Sequence, residues 1–151
     1  MLSPAPTSVF AASQVASVAN AALADSGLPP FVPALAPAVS PETGLEAMPS
    51  AYAIPVAHRL ERAARHVISH QVEVALLLIL EVPEGDSPED RAQEWLAMLQ
   101  GAVEAVLAAG GAEGVKFIDA DIVEPADPEL LAQSGIFRSQ ANVSCMVLVQ
   151  Q

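Results

Sequence analysis

The chain has 151 residues, with eighteen acidic against six basic side chains and a formal net charge of -12 at pH 7. This length suits one domain built on a single sheet with one or two helices. So acidic a chain argues against non-specific binding to nucleic acid or to an anionic membrane. The single cysteine, Cys145, excludes an intrachain disulfide, so nothing indicates a disulfide-stapled secreted scaffold.

No segment has the pattern of a membrane span or a targeting signal. The longest solidly apolar stretch, residues 74–80, is far shorter than the roughly 20 residues that a helix needs to cross a bilayer. The first residues carry no basic side chain ahead of their apolar part, unlike a secretory signal. We therefore expect a protein made in the cytoplasm, with no membrane partner.

The first predicted element is a helix over residues 7–27, with Thr7 or Ser8 as its cap and Gly27 at its end. Its predicted apolar face is made of small side chains, Val15, Val18 and Ala22. Residues 28–50 hold six of the thirteen prolines and predict an extended connector, because proline interrupts both helices and sheets.

Two strands are predicted next. Residues 51–56 indicate a short strand, which Pro55 places at a sheet edge or a strand end. In residues 70–82 the even positions from Val72 to Val82 are all branched and apolar, whereas the odd positions are polar at both ends and apolar only in the middle. This alternation predicts a strand with one face buried along its whole length and the other buried only at its centre. Between the strands, "HRLERAARHV" by itself indicates a short helix, and we leave its secondary structure open.

The clearest helix covers residues 88–109. Ser87 is placed to cap it, Asp90 stands where the acid of a capping box would, and Gly110 ends it. Its apolar positions recur at steps of three and four and form one stripe: Ala92, Trp95, Leu96, Leu99, Ala102, Val103, Val106 and Leu107. We expect this stripe to cover the even face of the preceding strand, with Trp95 at the contact.

Two further strands complete the predicted sheet. They are residues 114–125 and the alternating residues 136–149. The second would extend roughly 45 Å, more than the approximately 40 Å width of a compact domain of this size, so it bends, or projects and pairs outside its own globule. The predicted fold class is α+β, with a mixed, mainly antiparallel sheet of about four strands and helices packed on one face.

Motifs for chemistry are sparse, and we assign no catalytic, cofactor-binding or metal residue. His66 and His70 could bind zinc on a helix, but no cysteine or carboxylate is placed to complete the set. "GGAEG" at residues 110–114 follows a helix instead of opening one, so we interpret it as a helix stop rather than a phosphate loop. Asp119 and Asp121 share one strand face, which we interpret as solvated, and Cys145 as a small core residue.

Three arginines supply half of the positive charge within seven residues. Arg59, Arg62 and Arg65 form a local basic patch in an acidic chain, and if the stretch is helical they are neighbours at three-residue steps. The patch has an obvious complement in another copy of the same molecule. A solvated surface and an interface with a partner both fit the pattern.

Taken in order, these segments resemble a known family. They run in the succession "PSAYAIPV", a charged stretch, "QVEVALLLILEVPEGDSPEDRAQEWLAMLQGAVEAVLAA", "GVKFIDADIVEP" and "GIFRSQANVSCMVLV". This succession is similar to the tail terminator, or tail completion, proteins of long-tailed bacteriophages. The resemblance covers about residues 48–149 and divides the chain into an N-terminal helix with a connector (1–50) and a terminator-like α+β domain (51–151).

The resemblance implies a structural virion protein rather than an enzyme, with no cofactor. Six copies would form a ring at the neck of the virion, capping the tail tube protein and joining it to the head connector, a stopper or adaptor protein. Ring neighbours or the N-terminal segment would cover Ala75, Leu77 and Ile79. DNA would pass through an acidic lumen without specific binding, since carboxylates repel phosphate. The alternatives are a stopper or adaptor, or a small α+β ligand-binding module or enzyme.

Overall fold

A computed structural model describes residues 6–38 and 48–151 of the chain. In the described residues three helices and six strands follow one another in this order: α1 (Thr7–Ala22), β1 (Val32–Pro33), β2 (Ser50–Ala64), β3 (Val67–Glu81), α2 (Pro88–Ala109), β4 (Gly111–Ala112), β5 (Val115–Glu124), α3 (Pro128–Ser134) and β6 (Ile136–Gln150). The α+β class is confirmed.

The strands form one mixed sheet in the order β1-β2-β3-β6-β5-β4. Strands β1 and β2 run parallel, and the other four pairs of neighbours run antiparallel. The estimate of about four strands is wrong, because the described residues contain six. The two that the sequence did not indicate, β1 and β4, are two residues long each, and so short a segment carries no alternation pattern.

The predicted short strand at residues 51–56 is one arm of a long hairpin. Strand β2 continues to Ala64, the chain turns at Arg65 and His66, and β3 returns alongside it. His66 takes the positive φ, 65°, that a tight turn between strands requires. The segment that by itself indicated a helix is therefore extended, since pairing with β3 outweighs the helix preference of its Arg, Glu and Ala residues.

Strand β6 lies in the middle of the sheet. It pairs with β3 over its full length, from Ile136 opposite Glu81 to Gln150 opposite Val67, and its other side pairs with β5. The alternative that this strand pairs outside its own globule is wrong, because both of its partners belong to the same chain.

The main core lies on the face of the sheet that carries the even-numbered residues of β3, called here the helix face. All three helices contribute side chains to this one cluster. Trp95 is 8% exposed, and its ring lies 5.6 Å from that of the fully buried Phe137. Trp95 therefore lies at a contact between α2 and the sheet, as predicted, and its aromatic partner is on β6. Helix α2 lies mainly over β5 and β6, whereas α1 lies over β2 and β3, so the expectation that α2 covers the even face of β3 is wrong.

Helix α1 differs from its prediction at both ends and along its face. Its N-cap is Pro6, without a side-chain hydrogen bond, and it ends at Ala22, well before Gly27. Its buried side chains are mostly alanines: Ala11, Ala12, Val15, Ala16 and Ala19. Of the predicted face, Val15 is buried, Val18 is partly buried against the core and Ala22 is exposed. Side chains this small let α1 approach the sheet closely and pack beside α2 in the same cluster.

Helix α2 follows its sequence signals closely. The Ser87 hydroxyl accepts a hydrogen bond from the Asp90 amide at 3.4 Å, and Gly110 ends the helix in the left-handed conformation with φ 70°. The interpretation of the glycine-rich stretch as a helix stop is confirmed. Among the described residues, no helix is both long enough and apolar enough to cross a membrane.

The opposite face of the sheet, called here the open face, carries the odd-numbered residues of β3. A small apolar cluster of Ile54, Leu77 and Ile79 lies at its centre. Helix α1 packs on the helix face, so this part of the N-terminal segment does not cover the cluster. The connector approaches it at Ala38, whose amide donates to the Tyr52 hydroxyl at 3.1 Å. The rest of the predicted connector, residues 39–47, lies outside the described residues.

Candidate subunit interface

The three arginines of the sequence prediction lie along the outer edge of the sheet and in the adjoining turn. Residues 56–65 are called here the arginine edge. They carry three arginines against the single carboxylate of Glu61, and every one of them is exposed. Within residues 6–38 and 48–151, β1 pairs with β2 only at Tyr52 and Ala53, so along the arginine edge β2 pairs with β3 on its inner side and with no strand on its outer side.

The arginines do not share one face, as they would on a helix. Arg59 stands opposite Gln71 and projects on the open face, whereas Arg62 stands opposite Ile68 and projects on the helix face. Arg65 lies in the turn between the strands. The expectation that the three arginines are neighbours on one helix face is therefore wrong. Their positive charge is spread over both faces of β2 and the turn that follows it. No ion pair involves any of the three within the described part of the chain.

The other side of the sheet carries the opposite charge. Residues 116–124 of β5 are called here the acidic edge, and they hold Asp119, Asp121 and Glu124 against the single Lys116. The two aspartates stand opposite Ser144 and Asn142, so both project on the open face and share a face as predicted. Among the described residues, β4 pairs with β5 only at Val115 and Lys116. Beyond them the outer side of the acidic edge has no partner strand, while its inner side pairs with β6.

Both edges also expose large apolar side chains. Val56 and Leu60 on the arginine edge, and Ile118 and Val123 on the acidic edge, are each between 49% and 60% exposed. Val56, Ile118 and Val123 all sit at irregularities in the strand register, where one extra residue bulges out of the ladder. Because bulges interrupt the row of free backbone groups, they prevent simple strand addition and leave side chains to make any contact.

A shallow groove of about 590 Å³ crosses the open face between the two edges. Its lining includes Arg59, Gln71, Glu73, Asp119 and Ser144. Nearby polar side chains bond to one another across strands, as where the Asn142 amide donates to Glu73 at 3.2 Å. The groove is thus an open sheet surface on which charged side chains stand beside apolar ones such as Val72 and Ile118, rather than a closed pocket.

The histidines are arranged differently from the pair that the sequence suggested. His66 lies in the hairpin turn and His70 in β3, so they do not share a helix face. Instead His58 meets His70 across the hairpin, at 2.9 Å between ring nitrogens. In the described ranges, no group of three or more His, Cys, Asp or Glu residues is arranged to hold a metal ion. The sequence did not predict this pair, because the contact depends on the register of β2 against β3.

The lone cysteine is in the core, as predicted. Cys145 is 2% exposed on the helix face of β6, and desolvation raises the pKa of its thiol to about 12. The reactive thiolate is therefore strongly disfavoured at neutral pH, so this side chain is a poor nucleophile. It contributes packing rather than chemistry.

The sequence has no match among protein-family models, and none among curated proteins. The charge and shape of the two sheet edges are therefore the main physical guide to function.

Proposed function

We propose that this chain is a structural virion protein that forms a ring, most favourably of six copies, at the end of a bacteriophage tail tube. The observation that carries the proposal is the opposite character of the two free sheet edges. One edge presents Arg59, Arg62 and Arg65, and the other presents Asp119, Asp121 and Glu124. Each also presents two exposed apolar side chains that a partner could bury.

Edges of opposite charge favour a head-to-tail contact. When two different patches on one molecule bind each other, the growing assembly keeps one free patch of each kind at its ends, and it closes into a ring when the repeated rotation returns to the first copy. Two arginine edges would repel each other, as would two acidic edges, which disfavours a symmetric dimer through either surface. A subunit with a net charge of -12 also needs local attraction of this kind if it is to assemble at all.

The assignment to a tail terminator rests on the segment order described above together with these edges. In this proposal the ring caps the tail tube and contacts the stopper or adaptor of the head connector, while DNA passes through its lumen. Carboxylates facing that lumen repel the phosphate backbone and let the duplex slide. The ring acts by assembly and needs neither a cofactor nor a catalytic residue.

Charge reversal tests the ring. Arg59→Glu, Arg62→Glu and Arg65→Glu in one chain, or Asp119→Lys and Asp121→Lys in another, should each stop closed oligomers from forming at low ionic strength, as measured by native mass spectrometry. Glu124 is left unchanged because it forms an ion pair with Arg138 at 3.6 Å. The control is Glu84→Lys with Glu104→Lys, two exposed carboxylates outside both edges, which should leave the stoichiometry unchanged.

Mixing the two edge variants makes the test specific. Alternating copies place a reversed edge against a reversed edge and a native edge against a native edge, so the mixture should recover closed rings with an even number of subunits. Failure of the mixture to assemble, while each variant keeps the native circular dichroism spectrum, would contradict the head-to-tail contact. Binding of the wild-type ring to purified tail tubes, and not to heads lacking tails, then separates a terminator from a stopper or adaptor.

A further inference from the structure

Two histidines meet on the β2–β3 hairpin, His58 within the arginine edge and His70 on β3. Nε2 of His58 lies 2.9 Å from Nδ1 of His70, with the ring centroids 5.1 Å apart. In the register of β2 against β3, His58 stands opposite Val72 and His70 opposite Leu60, so the histidines are diagonal neighbours on one face. Side chains of this length reach each other at diagonal positions. Strand pairing, rather than a loop, therefore holds the two rings together.

We propose that His58 and His70 form a two-nitrogen site for a divalent transition-metal ion, of the class that includes Cu²⁺, Ni²⁺ and Zn²⁺. Imidazole nitrogen suits these ions, whereas Mg²⁺ and Ca²⁺ prefer oxygen. Because a metal–nitrogen bond is about 2.0–2.1 Å long, two nitrogens in adjacent positions at right angles around an ion lie about 2.9 Å apart. That is the separation found between these rings. Water would complete the coordination.

The same distance also fits a hydrogen bond between two neutral rings, in which one ring nitrogen carries a proton and the other accepts it. A metal ion requires both facing nitrogens to be unprotonated, so on binding the donor ring switches to its other neutral tautomer, with its proton on the nitrogen that faces away from the ion. Both rings lie at the exposed surface of the hairpin. Their lone pairs can thus turn toward a common ion without disturbing the core.

A bound ion would join β2 to β3 next to the arginine edge. It would hold the strand register there and stabilise the folded hairpin, because a ligand that binds only the folded state shifts the unfolding equilibrium toward it. This inference does not depend on ring formation, since both ligands come from one chain.

The test is calorimetric titration of the untagged full chain with CuCl₂, NiCl₂ and ZnCl₂ in a buffer that does not bind metals. We expect one ion per subunit, with affinity falling from Cu²⁺ to Ni²⁺ and from Cu²⁺ to Zn²⁺. His58→Gln and His70→Gln should each weaken Ni²⁺ binding at least about tenfold, since loss of even an outer-shell partner of a metal site costs 10 to 100-fold. His66→Gln, in the turn of the same hairpin, is the matched control and should bind as the wild type does.

Thermal unfolding provides a second readout. Ni²⁺ should raise the melting temperature of the wild type and of His66→Gln, and should leave those of His58→Gln and His70→Gln unchanged. The proposal is overturned if the wild type takes up none of the three ions, or if replacing His66 weakens binding as much as replacing His58 or His70. Circular dichroism of all three variants checks that each is folded.

Discussion

Replacing Trp95 by alanine should remove a large part of the stability of the fold. The side chain is 8% exposed between α2 and the sheet, and its ring packs at 48° against that of Phe137. Truncation of a buried Trp to Ala costs about 3–5 kcal/mol, of which the aromatic pair supplies roughly 0.5–1.5 kcal/mol. The total stability of a domain of this kind is about 5–15 kcal/mol, so one substitution removes about a fifth of it or more.

Urea unfolding followed by far-ultraviolet circular dichroism measures this loss. With a denaturant dependence of about 2 kcal/mol per molar urea, a loss of 4 kcal/mol lowers the midpoint by about 2 M. The matched control is Leu107→Ala on the same helix, where the side chain is 37% exposed. It should change the free energy of unfolding by less than about 1 kcal/mol, because little apolar surface leaves the core and Ala is a good helix former.

Trp95 is the chain's single tryptophan, so its fluorescence reports on this contact directly. The folded wild type should emit at shorter wavelength than the protein in urea. A cycle of Trp95→Leu, Phe137→Leu and the double variant should give a coupling energy of about 0.5–1.5 kcal/mol. Water-like emission from the folded protein, or equal losses for Trp95→Ala and Leu107→Ala, would refute the packing described above.

Three further predictions concern single positions. The Cys145 thiol should make the free energy of unfolding fall above pH 9, by up to about 1.4 kcal/mol per pH unit. The reason is that the unfolded chain loses the Cys145 proton near its ordinary pKa, while in the folded chain the pKa is raised to about 12. In Cys145→Ala the free energy of unfolding should fall less steeply between pH 9 and 11. Ser139→Ala should cost about 1–3 kcal/mol in urea unfolding, because the buried Ser139 hydroxyl donates to the Glu124 carbonyl at 3.0 Å. Ser69→Ala should be close to neutral, because the buried Ser69 hydroxyl has no hydrogen-bond partner in the described residues. Gly110→Ala should lower the melting temperature through a backbone cost of about 1–2 kcal/mol, because its φ of 70° is left-handed and the space around a new Cβ is open.

The parts of the fold that the sequence predicted are those with strong local signals. Helix α2 is bounded by the Ser87 cap and by Gly110, and β3 alternates in a way that only a strand satisfies. The arginine stretch has the residue preferences of a helix, and only its long-range pairing with β3 makes it extended. Strong local signals decide whether a segment is a helix or a strand, and tertiary contacts decide it where the local signals are weak.

The candidate interface was predicted only in part, for the same reason. The cluster of arginines is visible in the sequence, and so are Asp119 and Asp121. Their placement on opposite edges of one sheet depends on the order β1-β2-β3-β6-β5-β4, which no local pattern specifies. The His58 and His70 contact likewise depends on the register of the hairpin.

The central position of β6 also has a consequence for how the protein folds. The β2–β3 hairpin pairs residues that are close in the chain, but β3 and β5 become parts of one sheet only when β6 enters between them. Its pairing partners on β3 are distant in sequence, from Glu81 opposite Ile136 to Val67 opposite Gln150. Such non-local pairing places folding in the slower, millisecond-to-second range typical of sheet-rich domains. The sheet edges at β2 and β5 are united in one body only by the pairing of β6, so folding of each subunit must precede its assembly.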